Sequence, residues 1–436
     1  MMVGIGLFLI GSILCGFAWS MPALIAFRAV QGLGAGAVQP MGLTIVGDIY
    51  TVAERAKVQG YLASVWGISS VVGPALGGVF SEYVSWRWIF FVNIPLCLIA
   101  GWMLLRHLHE NVTRQRRTID YTGAVLLTAG CSAVLLGLLE GGVAWAWTSP
   151  LGIGVPVGGV LLLAVFVAVE RRAQDPILPL WILRRRVLVA STLTSLVVGA
   201  VVLGLTTYIP TFGQFVLGAG PLAAGFALAT LTIGWPIAAA LSGRLYLRVG
   251  FGWTAVIGAV IALVGTLLIL SLDGSLWQIA LGCFVVGAGL GLVASPSLVA
   301  AQSSVGWLQR GVVTGTNVFA RSIGSAVGVA AFGAIANATL GASDDAGGRP
   351  PAALVAGASH QVFLAVAILA AVMVATVLLL PRGRSALQDE VVEQPTGQQS
   401  STRRSGTQQS GEQRPTQQRP TEQPTTAVDL SADARR

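Results

Sequence analysis

The chain is 436 residues long, 54% hydrophobic and only 10% charged, with a mean hydropathy of +0.76. Ordinary soluble domains carry about 25% charge, so the composition excludes a water-solvated globular domain and points to a polytopic membrane protein. The formal net charge of +8 comes from arginines scattered through short loops; a nucleic-acid-binding face would need them clustered on one soluble surface, so nucleic acid is not expected as a partner.

Apolar runs of about 20 residues, each long enough to cross a hydrocarbon core about 30 Å thick, predict twelve spans. They lie near residues 2–19, 22–48, 57–80, 88–105, 120–140, 151–170, 188–210, 222–242, 252–271, 277–300, 311–336 and 360–381. The first lacks a positive n-region and "SILCG" is a poor lipoprotein-type cysteine site, so no cleaved signal is expected. Cys15, Cys97, Cys131 and Cys283 fall within apolar runs and read as small hydrophobes rather than disulfides or metal ligands. With residue 1 on the cytoplasmic side, the inside loops hold Arg55, Lys57, Arg106, Arg114, Arg116, Arg117, Arg171, Arg172, Arg184, Arg185, Arg186, Arg244, Arg248 and Arg310. The outside loops hold only Arg87 and Arg349, which is the positive-inside pattern and places both termini in the cytoplasm. From Arg382 onward the chain turns to Gln, Thr, Arg, Pro and Ser, a composition that cannot bury a core and predicts a disordered tail.

Along the spans, Arg28 is the sharpest single residue. An arginine near a helix centre costs about 2.5–3.5 kcal/mol on insertion scales, so it needs a partner or a wet cavity. In "GISSVVGPALGG", Gly73, Pro74, Gly77 and Gly78 put small residues and a helix breaker inside a span; small residues let backbones approach closely and neighbours re-satisfy the freed carbonyl, so a bendable, closely packed seam is expected. Trp66, Tyr208, Phe212 and Trp235 are candidates to line a greasy cavity or to face lipid, and Trp145, Trp147 and Trp277 read as interfacial anchors. Asp48, Glu82 and Glu140 sit near span ends and read as interfacial rather than proton-carrying. Arg321, flanked by Asn317 and Ser325, fits either a central cavity or an interhelical hydrogen-bond clamp. His107, His109 and His360 fall at loop edges without a ligand cluster, so no metal site is expected. No GxxxxGK[ST] loop is present, which argues against ATP as the energy source.

The chain also repeats itself. Adding 255 to Gly32, Gly34 and Gly36 gives Gly287, Gly289 and Gly291, and the same offset pairs Arg55 with Arg310, Gly60 with Gly315, Gly73 with Gly328 and Gly78 with Gly333. Parallel halves of this kind build a large class of secondary transporters, with substrate held between them near the midplane. The organisation expected is an incomplete four-span half over 1–110, an extra two-span pair with linkers over 111–187, a six-span half over 188–381 and the tail over 382–436. On this count the early half lacks counterparts of the two spans that begin near residue 188.

"LIAFRAVQGLGAGAVQP", "GISSVVGPALGG" and "SWRWIFFVNIP" together resemble the major facilitator superfamily, specifically its fourteen-span drug:proton antiporter branch, over residues 1 to about 381. The resemblance implies an all-α helical bundle of two pseudo-symmetric halves, a role for Arg28, Gln31 and Gly32 in proton coupling or gating, and an antiporter motif at Gly67, Gly73, Pro74, Gly77 and Gly78. It further implies export of hydrophobic or amphipathic small molecules in exchange for protons by alternating access, with no cofactor beyond the proton gradient. A small-molecule substrate and the lipid bilayer are the expected partners, in a non-enzymatic protein of the cell (inner) membrane working as a monomer. Two departures stand out. The family's cytoplasmic loop between helices two and three has no early counterpart, and its late echo "GRLYLRVG" has Leu247 at the aspartate position; the acid of the branch's first helix also has no counterpart. Alternatives are an exporter dedicated to one endogenous metabolite and a truncated, non-transporting membrane protein.

Overall fold

In the computed structural model the described residues are 1–107, 120–141, 145–146, 148–173, 176–271, 275–340 and 351–381, and within α3 and its flanks some side chains are not described. The tail, Trp147, His109 and the loop residues Arg114, Arg116, Arg117 and Arg349 therefore lie outside them. The chain divides into Met1–Asp389 and Glu390–Arg436, the second wholly outside the described residues.

Among the described residues the regular structure is helical. In order come α1 (Met2–Gly16), α2 (Met21–Ile49), α3 (Val52–Val79), the short α4 (Trp88–Phe91), α5 (Asn93–His107), α6 (Tyr121–Glu140), α7 (Pro150–Glu170), α8 (Arg186–Phe215), α9 (Pro221–Val249), α10 (Phe251–Leu270), α11 (Leu276–Ser303), α12 (Trp307–Leu340) and α13 (Ala352–Val377). Each of the twelve predicted spans is a helix. Ten helical stretches are long and apolar enough to cross a membrane, with α4 and α5 counting as one. The other two predicted spans are α1, an apolar helix of 15 residues, and α3.

Helix starts follow local chemistry. The Ser20 hydroxyl accepts from the Ala23 N–H at the head of α2, and Ser149 does the same for Gly152 in front of Pro150. Thr51 and Glu54 form a reciprocal capping box on α3, satisfying amides that have no intrahelical acceptor. Between α9 and α10 the chain reverses through Gly250 at φ +92°, a backbone region that disfavours any residue with a Cβ.

Helix pairing places α1 on α2, α4 and α5, sets α6 beside α7 and α12, and packs α8 against α12 and α13. Helix α11 is wedged between α9 and α10, and α3 lies along α9. The core is concentrated in α8–α13, around Leu205, Ile209, Leu231, Val286, Leu290, Phe332, Val362 and Met373. Large exposed side chains such as Ile10, Leu33, Leu161, Val264 and Leu281 suit a surface that lipid covers. Because lipid is as apolar as leucine, helices in a bilayer associate through close packing and hydrogen bonds rather than hydrophobic burial. The glycines show this. A Cβ at Gly199 would overlap the Arg321 carbonyl and one at Gly324 the Leu196 carbonyl, locking α8 to α12; Gly287 and Gly291 close in the same way on Leu231 and Trp235 of α9.

The 255-residue offset has a structural counterpart. Gly34 of α2 meets the backbone of Phe8 in α1, and Gly289 of α11 meets that of Ala262 in α10, so the α1–α2 crossing reproduces the α10–α11 crossing. The flanking residues differ: Gly32 and Gly36 have no atom within 4 Å of a built Cβ, whereas Gly287 and Gly291 are in close contact with α9.

Candidate functional site

A cluster of buried polar side chains in this apolar bundle forms where α2, α8, α11 and α12 meet. Asn317 of α12, 5% exposed, is the hub. Its Oδ1 accepts hydrogen bonds from the Ser191 hydroxyl at 2.7 Å and the Ser195 hydroxyl at 2.8 Å, both on α8, and its Nδ2 donates to the Val313 carbonyl. Ser191 also lies 3.0 Å from the Ser297 carbonyl of α11, and Thr194 donates to Thr376 of α13 at 3.0 Å. These bonds tie three helices around a cavity of about 40 Å³ lined by Leu43, Thr194, Ser195, Val198, Ala294, Ser297, Leu298, Asn317, Val318 and Arg321. That volume admits a group of a few heavy atoms, well below the roughly 300–1,000 Å³ of a drug-sized pocket.

Two donors at this cavity are unspent. Ser297 is 1% exposed and its hydroxyl has no hydrogen-bond partner, and among the described residues no hydrogen bond or ion pair reaches the Arg321 guanidinium. The sequence left Arg321 open between cavity and clamp; the structure lines the cavity with it, and the clamp is built by Asn317 instead. Tyr208 is not at this cavity. It lies some three turns further along α8, packed with Phe212 and Trp235 against the main core.

A second polar cluster holds α1, α2 and α4–α5 together. Arg28 donates to Gln31 Oε1 at 2.9 Å, Gln31 Nε2 donates to the Ser12 hydroxyl at 3.0 Å, Asn93 donates to the same oxygen at 3.0 Å, and Ser12 donates to the Phe90 carbonyl at 3.0 Å. The Arg28 guanidinium also lies 5.9 Å from the centre of the Phe90 ring, within cation–π range. Among the described residues its hydrogen-bond partner is thus a neutral amide on its own helix, and no carboxylate pairs with it. Arg87 of "SWRW" stacks on Trp86 and donates to the Ala18 carbonyl at the end of α1, which anchors the segment leading into α5.

The glycine seam is displaced from where the sequence put it. Gly73 and Gly77 have no described atom within 4 Å of a built Cβ, so among the described residues they do not form the closely packed seam expected of them. The close approach falls earlier in α3, where a Cβ built on Gly60 would lie 2.9 Å from Ala240 and one on Gly67 2.9 Å from Pro236. The physical reason is that α3 touches α9 through only one stripe, and Gly73 and Gly77 lie off it. The surroundings of Trp66, Pro74, Gly78 and Glu82 lie outside the described residues.

Sequence reasoning also missed a link across the bundle. Arg310, at the start of α12, donates to the Gly47 carbonyl at 3.0 Å and lies 4.0 Å from Asp48, joining the end of α2 to the late helices. Beneath it Gln302 donates to Thr314, whose hydroxyl donates to the Arg310 carbonyl. Glu170 was overlooked as well: it is 4% exposed and accepts from the Leu178 N–H, fastening the segment that follows α7. Neither pairing had a linear signal, since Asp48 and Arg310 are separated by most of the chain.

Comparison with known proteins agrees with this architecture. The Major Facilitator Superfamily model matches residues 1–329. Multidrug resistance protein 3 of Bacillus subtilis is 32% identical over 335 residues, covering 76% of this chain and 65% of that protein. Multidrug transporter protein MdtP of the same organism is 31% identical, covering 78% and 63%. The chain therefore spans just under two thirds of the length of these two relatives. Puromycin resistance protein pur8 of Streptomyces alboniger is 30% identical over 391 residues, covering 86% of this chain and 76% of that protein. The crystal structure of the human organic anion transporter MFSD10 superposes with a TM-score of 0.56 at 16% identity, covering 86% of this chain and 76% of that one, a likeness of fold alone. With three quarters of its length matched by the family model and its helices paired as a polytopic bundle, this chain belongs to the major facilitator superfamily.

Proposed function

We propose that the protein exports hydrophobic or amphipathic small molecules across the cell membrane in exchange for protons, by alternating access. The observation that carries this reading is the polar cavity at which α2 of the early helices meets α8, α11 and α12. Polar groups are costly inside a membrane protein and are retained where a substrate or ion must pass. Relatives named for multidrug and puromycin resistance support the export direction. The proton gradient is the driving force and Arg28, with Gln31 and Gly32, takes part in coupling or gating, a role resting on the resemblance of "LIAFRAVQGLGAGAVQP" to the family's fourth-helix motif. In this reading the protein works as a monomer in the inner membrane with both termini cytoplasmic.

The test is dye transport in everted vesicles from cells that lack their own exporters and express this chain. Vesicles energised by a proton gradient are expected to accumulate a lipophilic dye, and a protonophore is expected to abolish the accumulation. Transport that survives the protonophore would overturn proton coupling, and no transport of any dye by correctly inserted protein would overturn export.

A further inference from the structure

We infer that the cavity at Arg321 is the seat for an acidic group, a carboxylate carried by an amphipathic substrate. The inference rests on the export reading above and adds the charge class of what is exported. One N–H of the Asn317 amide goes to the Val313 carbonyl, its oxygen accepts from Ser191 and Ser195, and the Thr194 hydroxyl is spent on Thr376. What remains, besides the second Asn317 N–H, is the Arg321 guanidinium, unpaired among the described residues, and the Ser297 hydroxyl, buried to 1% exposure and without a partner among them. Both are donors. No aspartate or glutamate lines the cavity, so among the described residues no carboxylate answers the positive charge there.

A low-dielectric cavity furnished with a cation and a free hydroxyl is complementary to an anion that accepts hydrogen bonds, and a guanidinium fits a planar carboxylate with two parallel bonds. A cationic group there would face an uncompensated like charge, and a neutral ester would leave the guanidinium unpaired. Size agrees with chemistry: about 40 Å³ takes a carboxylate but not a whole amphipathic molecule, so the apolar remainder of the substrate needs the helices to part. Leu43 of α2 completes the wall, and a carboxylate seated there would touch both the early and the late helices.

The experiment uses the full chain purified in detergent and three probes sharing one environment-sensitive fluorophore: dansyl-leucine, its methyl ester, and cationic dansyl-cadaverine. Wild-type protein is expected to bind the acid about tenfold or more tighter than the ester, the order expected of one charge-assisted contact. Arg321→Gln is expected to remove that preference by weakening acid binding, with a wild-type gel-filtration profile in detergent reporting that the variant is folded; Arg321→Lys is expected to restore part of it. Equal binding of acid and ester by the wild type, or an Arg321→Gln variant that retains the preference, overturns the inference. A protein that exports dyes in vesicles but shows no preference for the acid overturns this inference alone, whereas one that neither binds nor exports any probe overturns the export reading with it.

Discussion

Arg28 and Arg321 both sit in apolar helices, yet their surroundings set them apart. Arg28 has a hydrogen bond to Gln31 and a ring beside it, so its charge is partly answered without a carboxylate and remains free to respond to one that changes protonation. Arg28→Ala is therefore expected to abolish protonophore-sensitive transport with membrane insertion intact; unchanged transport in everted vesicles would remove Arg28 from the coupling machinery. Asn317 has the opposite character, since its oxygen is committed to two hydroxyls of α8. Interhelical hydrogen bonds in membrane proteins average about 0.6 kcal/mol and reach about 1.7. Losing an acceptor shared by two buried donors should fall at the upper end. Asn317→Ala is expected to lower the unfolding midpoint in detergent more than Ser195→Ala does, and a smaller loss for Asn317→Ala would show that the two bonds do not clamp α8 to α12.

At the scale of helices, the contact between α3 and α9 decides which glycines matter. A Cβ at Gly67 would already crowd Pro236 and the Thr232 carbonyl, whereas one at Gly73 meets no described atom within 4 Å. Gly67→Leu is expected to abolish transport by prising α3 from α9, and Gly73→Leu to leave the bundle assembled, as judged by its gel-filtration profile in detergent. A Gly73→Leu variant that dissociates or aggregates would restore the seam to that position. The link from α2 to α12 is argued by magnitude. The Arg310 hydrogen bond to the Gly47 carbonyl is charge-assisted and worth about 1.5–3 kcal/mol, while the ion pair to Asp48, between side chains 14% and 25% exposed, is stretched to 4.0 Å, the limit of such a contact. Arg310→Ala should therefore destabilise more than Asp48→Ala, with the unfolding midpoint as readout; the reverse order would make the ion pair the stronger tie.

For the whole molecule, much was legible in the residues. All twelve predicted spans fell on helices, the fourth divided between α4 and α5, because in a bilayer every backbone polar group must be satisfied within its own segment and so each apolar run has to be a helix. Superfamily membership was legible in "LIAFRAVQGLGAGAVQP", "GISSVVGPALGG" and "SWRWIFFVNIP", and the doubled glycine pattern anticipated the matching α1–α2 and α10–α11 crossings. The site was only half legible. Asn317 and Arg321 stood out as polar residues in an apolar run, but Ser191, Ser195 and Ser297 were ordinary small residues until the fold brought them to Asn317, from as far as 126 positions away. Tyr208 was a candidate for its chemistry and is a half-buried side chain packed against the core, while Gly73 and Gly77 have the composition of a seam without close neighbours among the described residues. Span position is a local property, set by roughly 20 consecutive side chains and the bonds of one helix. Which face of a span meets which neighbour is not, because a helix that is apolar all round carries no periodic signal of its orientation. The sequence by itself thus determined where the helices run and the family they build, and only the tertiary structure decided that Arg321 and Ser297 share a cavity, that α3 closes on α9 at Gly67, and that Arg310 reaches Gly47.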